Sequence, residues 1–234
     1  MDQLRELREA VCQANLDLFS RGLAICTWGN VSGICRDLGL VAIKPSGVPY
    51  DALTPAMIPI VKLDGERVQG DLRPSSDLAT HLELYRSFPA AAGIAHSHSC
   101  CATSFAQACR DLPCFGTTHA DHFFGTVPVT RKLLPSEVTK DYERNTGAVI
   151  AELFADRDPL AVPGALVAHH GPFTWGPSPA AAVTNNVVLE AVARLALDTW
   201  QLNRAAAAIE PALLDCHYQR KHGPEAYYGQ RQAP

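Results

Sequence analysis

The sequence predicts an α/β fold: a single domain with a mixed, mainly antiparallel central sheet flanked by helices. Three observations predict it. Amphipathic stretches at helical spacing alternate irregularly with short apolar runs, so no regular βαβ repeat is present. One pair of runs, "IPIVKLDGERV", is joined by a turn dipeptide, and hairpins pair strands antiparallel. No repeat, low-complexity tract or composition shift marks a linker, so residues 1–234 read as one domain.

The elements follow in order. Leu4, Leu7, Val11 and Leu18 fall at helical spacing, and Gly22 sits where that helix would stop. "VSGIC" and "GLVAIKPSG" read as strands, the second closing on a Pro-Ser-Gly turn, and Asp64-Gly65 turns the hairpin. "RPSSDLATHLELYRSF" offers a serine N-cap before an amphipathic helix. "AAAGIAHSHS" is small and apolar and ends in polar residues, as a buried strand does on leaving a sheet. "CATSFAQACR" reads as a helix, "GTTHADHFFGTVPV" as irregular chain feeding a strand, and "PSEVTKDYERNTGAVIAELF" as one helix. "GALVAHHGPFTWG" reads as a buried strand running into a glycine-bounded loop. "SPAAAVTNNVVLEAVARLALDTWQL" is a long helix capped by Ser178, and "PALLDCHYQRKHG" a shorter one leading to the tail "PEAYYGQ".

Composition narrows the function. With 47% hydrophobic and 19% charged residues the chain is globular rather than disordered. A formal net charge of −4 argues against a general nucleic-acid binder, although a local cluster of donors can still hold an anion. The N-terminus carries charges throughout and does not read as a signal peptide, and no stretch approaches the roughly 20 apolar residues of a membrane span. The eight cysteines form no CxxC pair and read as mostly reduced core residues, without a disulfide framework, in a cytoplasmic protein.

The chemistry centres on "AHSHS". On a strand, His96 and His98 share a face, which brings two metal-ligating rings together at a sheet end. The competing reading is a pair of hydrogen-bonded edge histidines. His170 ends the apolar run "ALVAH" before a glycine, a matching setting, and a third histidine turns the balance toward a catalytic metal site. "KPSG" and "PSSD" are donor-rich: Lys44, Ser46, Gly47, Ser75 and Ser76, with Asn30 of "WGNVSG", make a candidate anion cradle. Each is also an ordinary turn or cap. Asp77, near the start of the helix, is a fourth ligand, a base, or simply a residue that favours the helix dipole. Asp121 lies in an irregular polar segment and Tyr228 in an aromatic tail that some contact must order.

Taken together, "TWGNVSG", "KPSGV", "PSSD", "HSHS", "GTTHAD", "GTVPVTRK", "HGPFTWG", "NNVVLEAVA" and the "YYGQ" tail resemble the L-ribulose-5-phosphate 4-epimerases of the class II aldolase and adducin-head superfamily. The resemblance runs from about residue 10 to about residue 230. It implies a zinc ion, replaceable by other divalent ions, held by His96, His98 and His170 with Asp77 as a further ligand. It implies that Gly29, Asn30, Lys44, Ser46, Gly47, Ser75 and Ser76 bind a sugar phosphate. Asp121 and Tyr228 match the catalytic acid/base pair, and Glu143 and His217 match assisting positions. In the aldolase relatives the residue matching Asp77 is a glutamate base, so the aspartate favours the epimerase branch. The tail at about residues 205–234 is expected to reach an intersubunit site of a homotetramer. Cys100 and Cys101 depart from the family pattern, and "LVAHH" makes His170, not His169, the third ligand.

The implied activity is interconversion of L-ribulose 5-phosphate and D-xylulose 5-phosphate, as in arabinose breakdown. C4 of a 2-ketose is not next to the carbonyl, so enolisation cannot invert it. Retro-aldol cleavage of C3–C4 and re-addition can, and the enediolate formed needs a Lewis acid. An aldolase or dehydratase of a sugar phosphate is the alternative within the superfamily. A structural zinc protein and a nicotinamide-dependent epimerase are the alternatives outside it, and the chain has no Rossmann glycine motif for the latter.

Overall fold

The computed structural model describes residues 2–228. Its strands are β1 (Asn30–Cys35), β2 (Leu40–Ile43), β3 (Ile60–Lys62), β4 (Arg67–Gln69), β5 (Gly93–His96), β6 (Gly164–Leu166) and β7 (Pro172–Gly176). They form one sheet in the order β4-β3-β2-β1-β5-β7-β6. The α/β class with a helix-flanked antiparallel sheet holds, and every neighbouring strand pair is antiparallel. Among the described residues the parallel contact is an isolated bridge between Val129 and Leu166. Short turns close β1–β2, β3–β4 and β6–β7 as hairpins, which is why the directions alternate.

Side-chain alternation sorts the central strands onto two faces. Val31 and Ala95 pack with Leu18 of α1 (Asp2–Ser20) and Val183 of α7 (Pro179–Leu202). Ile34, Ile94, Phe173 and Trp175 pack on the other face with Leu84 and Tyr85 of α2 (Leu78–Ser87) and Ile150 of α6 (Tyr142–Leu153). Each such buried side chain contributes about 1.5–3 kcal/mol on leaving water. α3 (Cys100–Gln107) packs on α7, and α8 (Pro211–His222) on the short α4 (Thr117–Ala120). α7 is long and apolar enough to cross a membrane by length and composition, contrary to the sequence reading. It lies instead against β5, β7, α1 and α3 as a core helix, capped by Ser178 as expected.

Five local expectations change, one of them at "GTTHADHFFGTVPV", which holds the short α4 and makes isolated bridges through Val127 and Val129 instead of a strand. The single helix expected over "PSEVTKDYERN" is two, α5 (Pro135–Thr139) and α6, because Asp141 takes a left-handed φ of 54°. The Asn145 amide donates to the Glu137 and Lys140 carbonyls freed at that break. The loop expected after "GALVAHHG" is the turn of a hairpin, and "PFTWG" is β7 itself. No serine caps α2: Asp77 holds the N-cap position without a side-chain cap bond, and its carboxylate turns to Asn30 instead. All eight cysteines are free, but only Cys12 and Cys114 are buried, while Cys26, Cys100 and Cys216 are exposed.

α7 docks on β5 so closely that a Cβ at Gly93 would lie 2.3 Å from the Ser178 backbone. Gly93→Ala is expected to destabilise the fold by about 3 kcal/mol, read by urea unfolding. A wild-type midpoint would mean that the helix does not rest on the sheet there.

Candidate active site

The strand register assembles the centre of the site. Across the sheet, His96 at the end of β5 faces Asn30 of β1 on one side and Phe173 of β7 on the other. The His96 ring stacks on Phe173 with centroids 4.1 Å apart, and its Nδ1–H donates to the Pro172 carbonyl at 2.9 Å. That bond fixes the tautomer and leaves Nε2 free to ligate. Ser97 points to the opposite face, where its hydroxyl donates to Asn186 of α7 at 2.7 Å. The alternation brings His98 back beside His96, Nε2 to Nε2 at 3.1 Å. Gly29 permits this packing: it has φ +75°, and a Cβ there would meet the His96 carbonyl at 2.8 Å.

His170 arrives from the β6–β7 turn, where His169 takes φ 62° and the His170 N–H donates to Val167. The Tyr142 hydroxyl lies 3.3 Å from its Nδ1. His96, His98 and His170 bring one ligand nitrogen each to within 4.8 Å of one another. Burial lowers the affinity of all three rings for a proton, His170 down to about 3, so they stand as the neutral ligand form. The donor set fits a divalent metal such as zinc. Asp77 lies beside the three rings, its Oδ2 accepting from the Asn30 amide at 2.6 Å. Burial alone would raise its carboxyl, but His96, His81 and the Asn30 bond outweigh burial and lower it.

A cleft of about 530 Å³ opens over these groups. Its far wall is two loops bridged through Pro45 and Pro74, with the Ser46 N–H donating to Arg73 and the Ser75 N–H to Lys44. Lys44, Ser46, Gly47, Ser75 and Ser76 therefore face one space with Gly29 and Asn30. Lys44 is 1% exposed, its Nζ donates to the Val48 carbonyl, and it lies 4.6 Å over the Tyr50 ring. Burial without a carboxylate partner lowers its amine to about 8. An unpaired buried cation is costly, and an anion in the cleft would compensate it.

Asp121, His217 and Tyr228 lie elsewhere, in a second cluster between α4 and α8. The Asp121 carboxylate accepts from His217 Nδ1 at 3.0 Å, from Arg220 at 2.8 and 3.1 Å, and from Lys221 at 3.3 Å. Burial works against its charge, but Arg220 and His217 outweigh burial and hold the carboxyl down to about 2. The Tyr228 ring lies under Lys221 and Arg220, at 4.4 and 5.2 Å, and is 62% exposed. None of these three lines the cleft of its own chain. Glu143 stands in the first turn of α6 beside Tyr142, and its carbonyl accepts from Thr80. The structure adds Thr27 and Trp28 in the cleft wall and Tyr142 against His170 to the residues the sequence points to. The first two sit inside the matched segment "TWGNVSG", whereas nothing local marks Tyr142.

Comparison with known proteins fits this architecture. Residues 9–197 match the family model described as the Class II Aldolase and Adducin N-terminal domain. YgbL from Klebsiella pneumoniae, with a provisional description as an aldolase/epimerase/decarboxylase, is 30% identical. That match covers 91% of this chain and 97% of YgbL, with a TM-score of 0.71. The L-fuculose-1-phosphate aldolase from Thermus thermophilus is 25% identical over 86% of this chain and 99% of its own, with a TM-score of 0.66. A second L-fuculose 1-phosphate aldolase shares the fold at 21% identity and a TM-score of 0.78, covering 92% of this chain and 95% of its own. This chain therefore belongs to the class II aldolase and adducin N-terminal domain family.

Proposed function

We propose that this protein is a zinc-dependent L-ribulose-5-phosphate 4-epimerase, converting L-ribulose 5-phosphate to D-xylulose 5-phosphate by cleaving and re-forming C3–C4. The observation that carries the proposal is the division of labour between two sites. A metal-fitting trio of histidines shares a cleft with an unpaired cation, and a separate cluster holds an acid and a phenol. Breaking C3–C4 and rejoining it on the other face needs both sets: charge stabilisation on one fragment and two proton-handling groups at the C4 oxygen.

Bound by His96, His98 and His170, with Asp77 as further ligand, a zinc ion would supply Lewis-acid stabilisation of the charge left on the C1–C3 side of the break. Lys44, Ser46, Gly47, Ser75, Ser76 and Asn30 hold the phosphate and with it the substrate's orientation. Tight retention keeps the aldehyde fragment in place while it turns over, and that retention separates an epimerase from an aldolase. Asp121, a carboxylate at neutral pH, enters as a base toward the C4 hydroxyl, and Tyr228 exchanges the proton on the opposite face. His217 orients Asp121 through its Nδ1 contact, and Glu143 assists beside Tyr142. Since the tail cluster does not line its own cleft, we place it over the cleft of a neighbouring copy in a homotetramer. Leu213 of α8 and Tyr227 and Tyr228 beyond its end are exposed for such a contact.

The likeness to L-fuculose-1-phosphate aldolase favours a second reading, an aldolase acting on a related sugar phosphate. One assay separates the two. The purified protein, as isolated, after chelation and after zinc return, is given L-ribulose 5-phosphate with an aldehyde trap. The epimerase produces D-xylulose 5-phosphate, loses activity on chelation, regains it with zinc and releases no trapped aldehyde. Metal-dependent aldehyde release without epimer would assign an aldolase, and no turnover with zinc bound would sink the substrate.

Lys44 gives a pH signature. Its lowered ammonium pKa means the cation present at neutral pH is lost above about pH 8. kcat/KM, which reports the free enzyme, is expected to fall there by about tenfold per pH unit. Lys44→Arg keeps its charge and is expected to flatten that fall in a profile between about pH 6 and 10. An unchanged descent would show that another group titrates.

A further inference from the structure

Behind the metal-fitting trio runs a buried polar chain that the proposed reaction does not use. Ser32 of β1 and Tyr85 and His81 of α2 are all fully buried. The Ser32 Oγ lies 2.8 Å from the Tyr85 hydroxyl and 2.7 Å from His81 Nδ1. Each hydroxyl has one hydrogen to place. If Tyr85 donates to Ser32 and Ser32 donates to Nδ1, both hydrogens are used, and the imidazole carries its proton on Nε2. The reverse direction strands the Tyr85 hydrogen in the core, which is costly. The first arrangement therefore sets the tautomer, and it leaves Nε2–H as a fully buried donor with no hydrogen-bond partner among the described residues.

A matching acceptor lies one helical turn away. Asp77 at the N-cap of α2 and His81 within it are spaced i, i+4 and interact electrostatically, and among the described residues Asp77 is the carboxylate acting on this ring. Of the Asp77 oxygens, Oδ2 is held by Asn30, and Oδ1 makes no hydrogen bond among the described residues. On its other side the His81 ring packs edge-on against Phe173, with centroids 6.0 Å apart, and Phe173 is the ring on which His96 stacks. His81 thus packs on the ring that supports His96 while lining none of the cleft.

We propose that His81 is a positioning residue: its buried Nε2–H, which makes no hydrogen bond among the described residues, attracts the Asp77 carboxylate one helical turn away and, together with Asn30, fixes it beside the three histidines so that it can complete a divalent-metal site. The inference rests on the metal reading above but not on the substrate. Outer hydrogen bonds of this kind change metal affinity by about 10–100-fold.

Two variants separate positioning from structure. His81→Asn keeps a polar atom near Nδ1 for Ser32 but has nothing at Nε2, whereas His81→Gln restores a donor at the Nε2 position. Zinc affinity of the full chain is read by competition with a chromogenic chelator, with the d–d bands of the cobalt-loaded protein and the melting temperature beside it. His81→Asn is expected to bind zinc about 10–100-fold more weakly and to shift the cobalt bands. His81→Gln is expected to recover most of that affinity. Long-range nitrogen–proton spectra of the zinc-loaded wild type need no variant and are expected to show His81 as the Nε2–H tautomer. Wild-type zinc affinity and cobalt bands in His81→Asn, or an Nδ1–H tautomer, would overturn the proposal. Equal weakening in both variants, tracking a loss of melting temperature, would make His81 structural and also overturn it. A wild-type chain that binds no zinc would instead remove the metal reading itself, and the proposal with it.

Discussion

The site depends on one row of residues across the sheet, Asn30–His96–Phe173, set by the register of β1, β5 and β7. A slip of one residue would turn His96 to the α7 face and carry Asn30 away from Asp77. Both sheet faces are covered by core packing, so such a slip would also expose Val31 and Ile94 from the two clusters they fill. The same hydrophobic burial that holds the fold therefore holds the ligand geometry. Gly29 and Gly93 leave little tolerance: backbone approaches within 3 Å of where a Cβ would stand.

Much of this was legible in the sequence because it lies at strand ends. "HSH" needs only the two-residue period of a strand, and "KPSG" and "PSSD" announce turns whose donors had to point somewhere. The structure brings those three segments with His170 into one cleft. What the sequence hid has local causes. The break at Asp141 carries neither glycine nor proline, and its left-handed backbone is supported by Asn145 further along the helix. The start of α2 looked serine-capped, yet Asn30, remote in sequence, draws the Asp77 carboxylate into the site. Tyr142 reaches the site only through its contact with His170 across elements, which no spacing rule reveals.

Electrostatics divide the molecule into two unlike sites. Around the histidines, burial suppresses charge, and neutral rings collect beside one carboxylate. Around Asp121, three donors on α8 surround a carboxylate and stabilise it as an anion. The first environment suits binding of a cation, and the second keeps a carboxylate ionised. Chemistry that breaks a carbon–carbon bond and moves a proton calls for both, and the proposed pairing of copies would bring them together.

Three imidazoles, and not the eight free cysteines, are placed to hold a metal ion. Zinc-edge X-ray absorption of the protein loaded with one equivalent of zinc tests this most directly. Three imidazole nitrogens are expected at about 2.0–2.1 Å with light-atom neighbours and no sulfur. A sulfur shell at about 2.3 Å, or a zinc spectrum unchanged by His98→Ala, would contradict it.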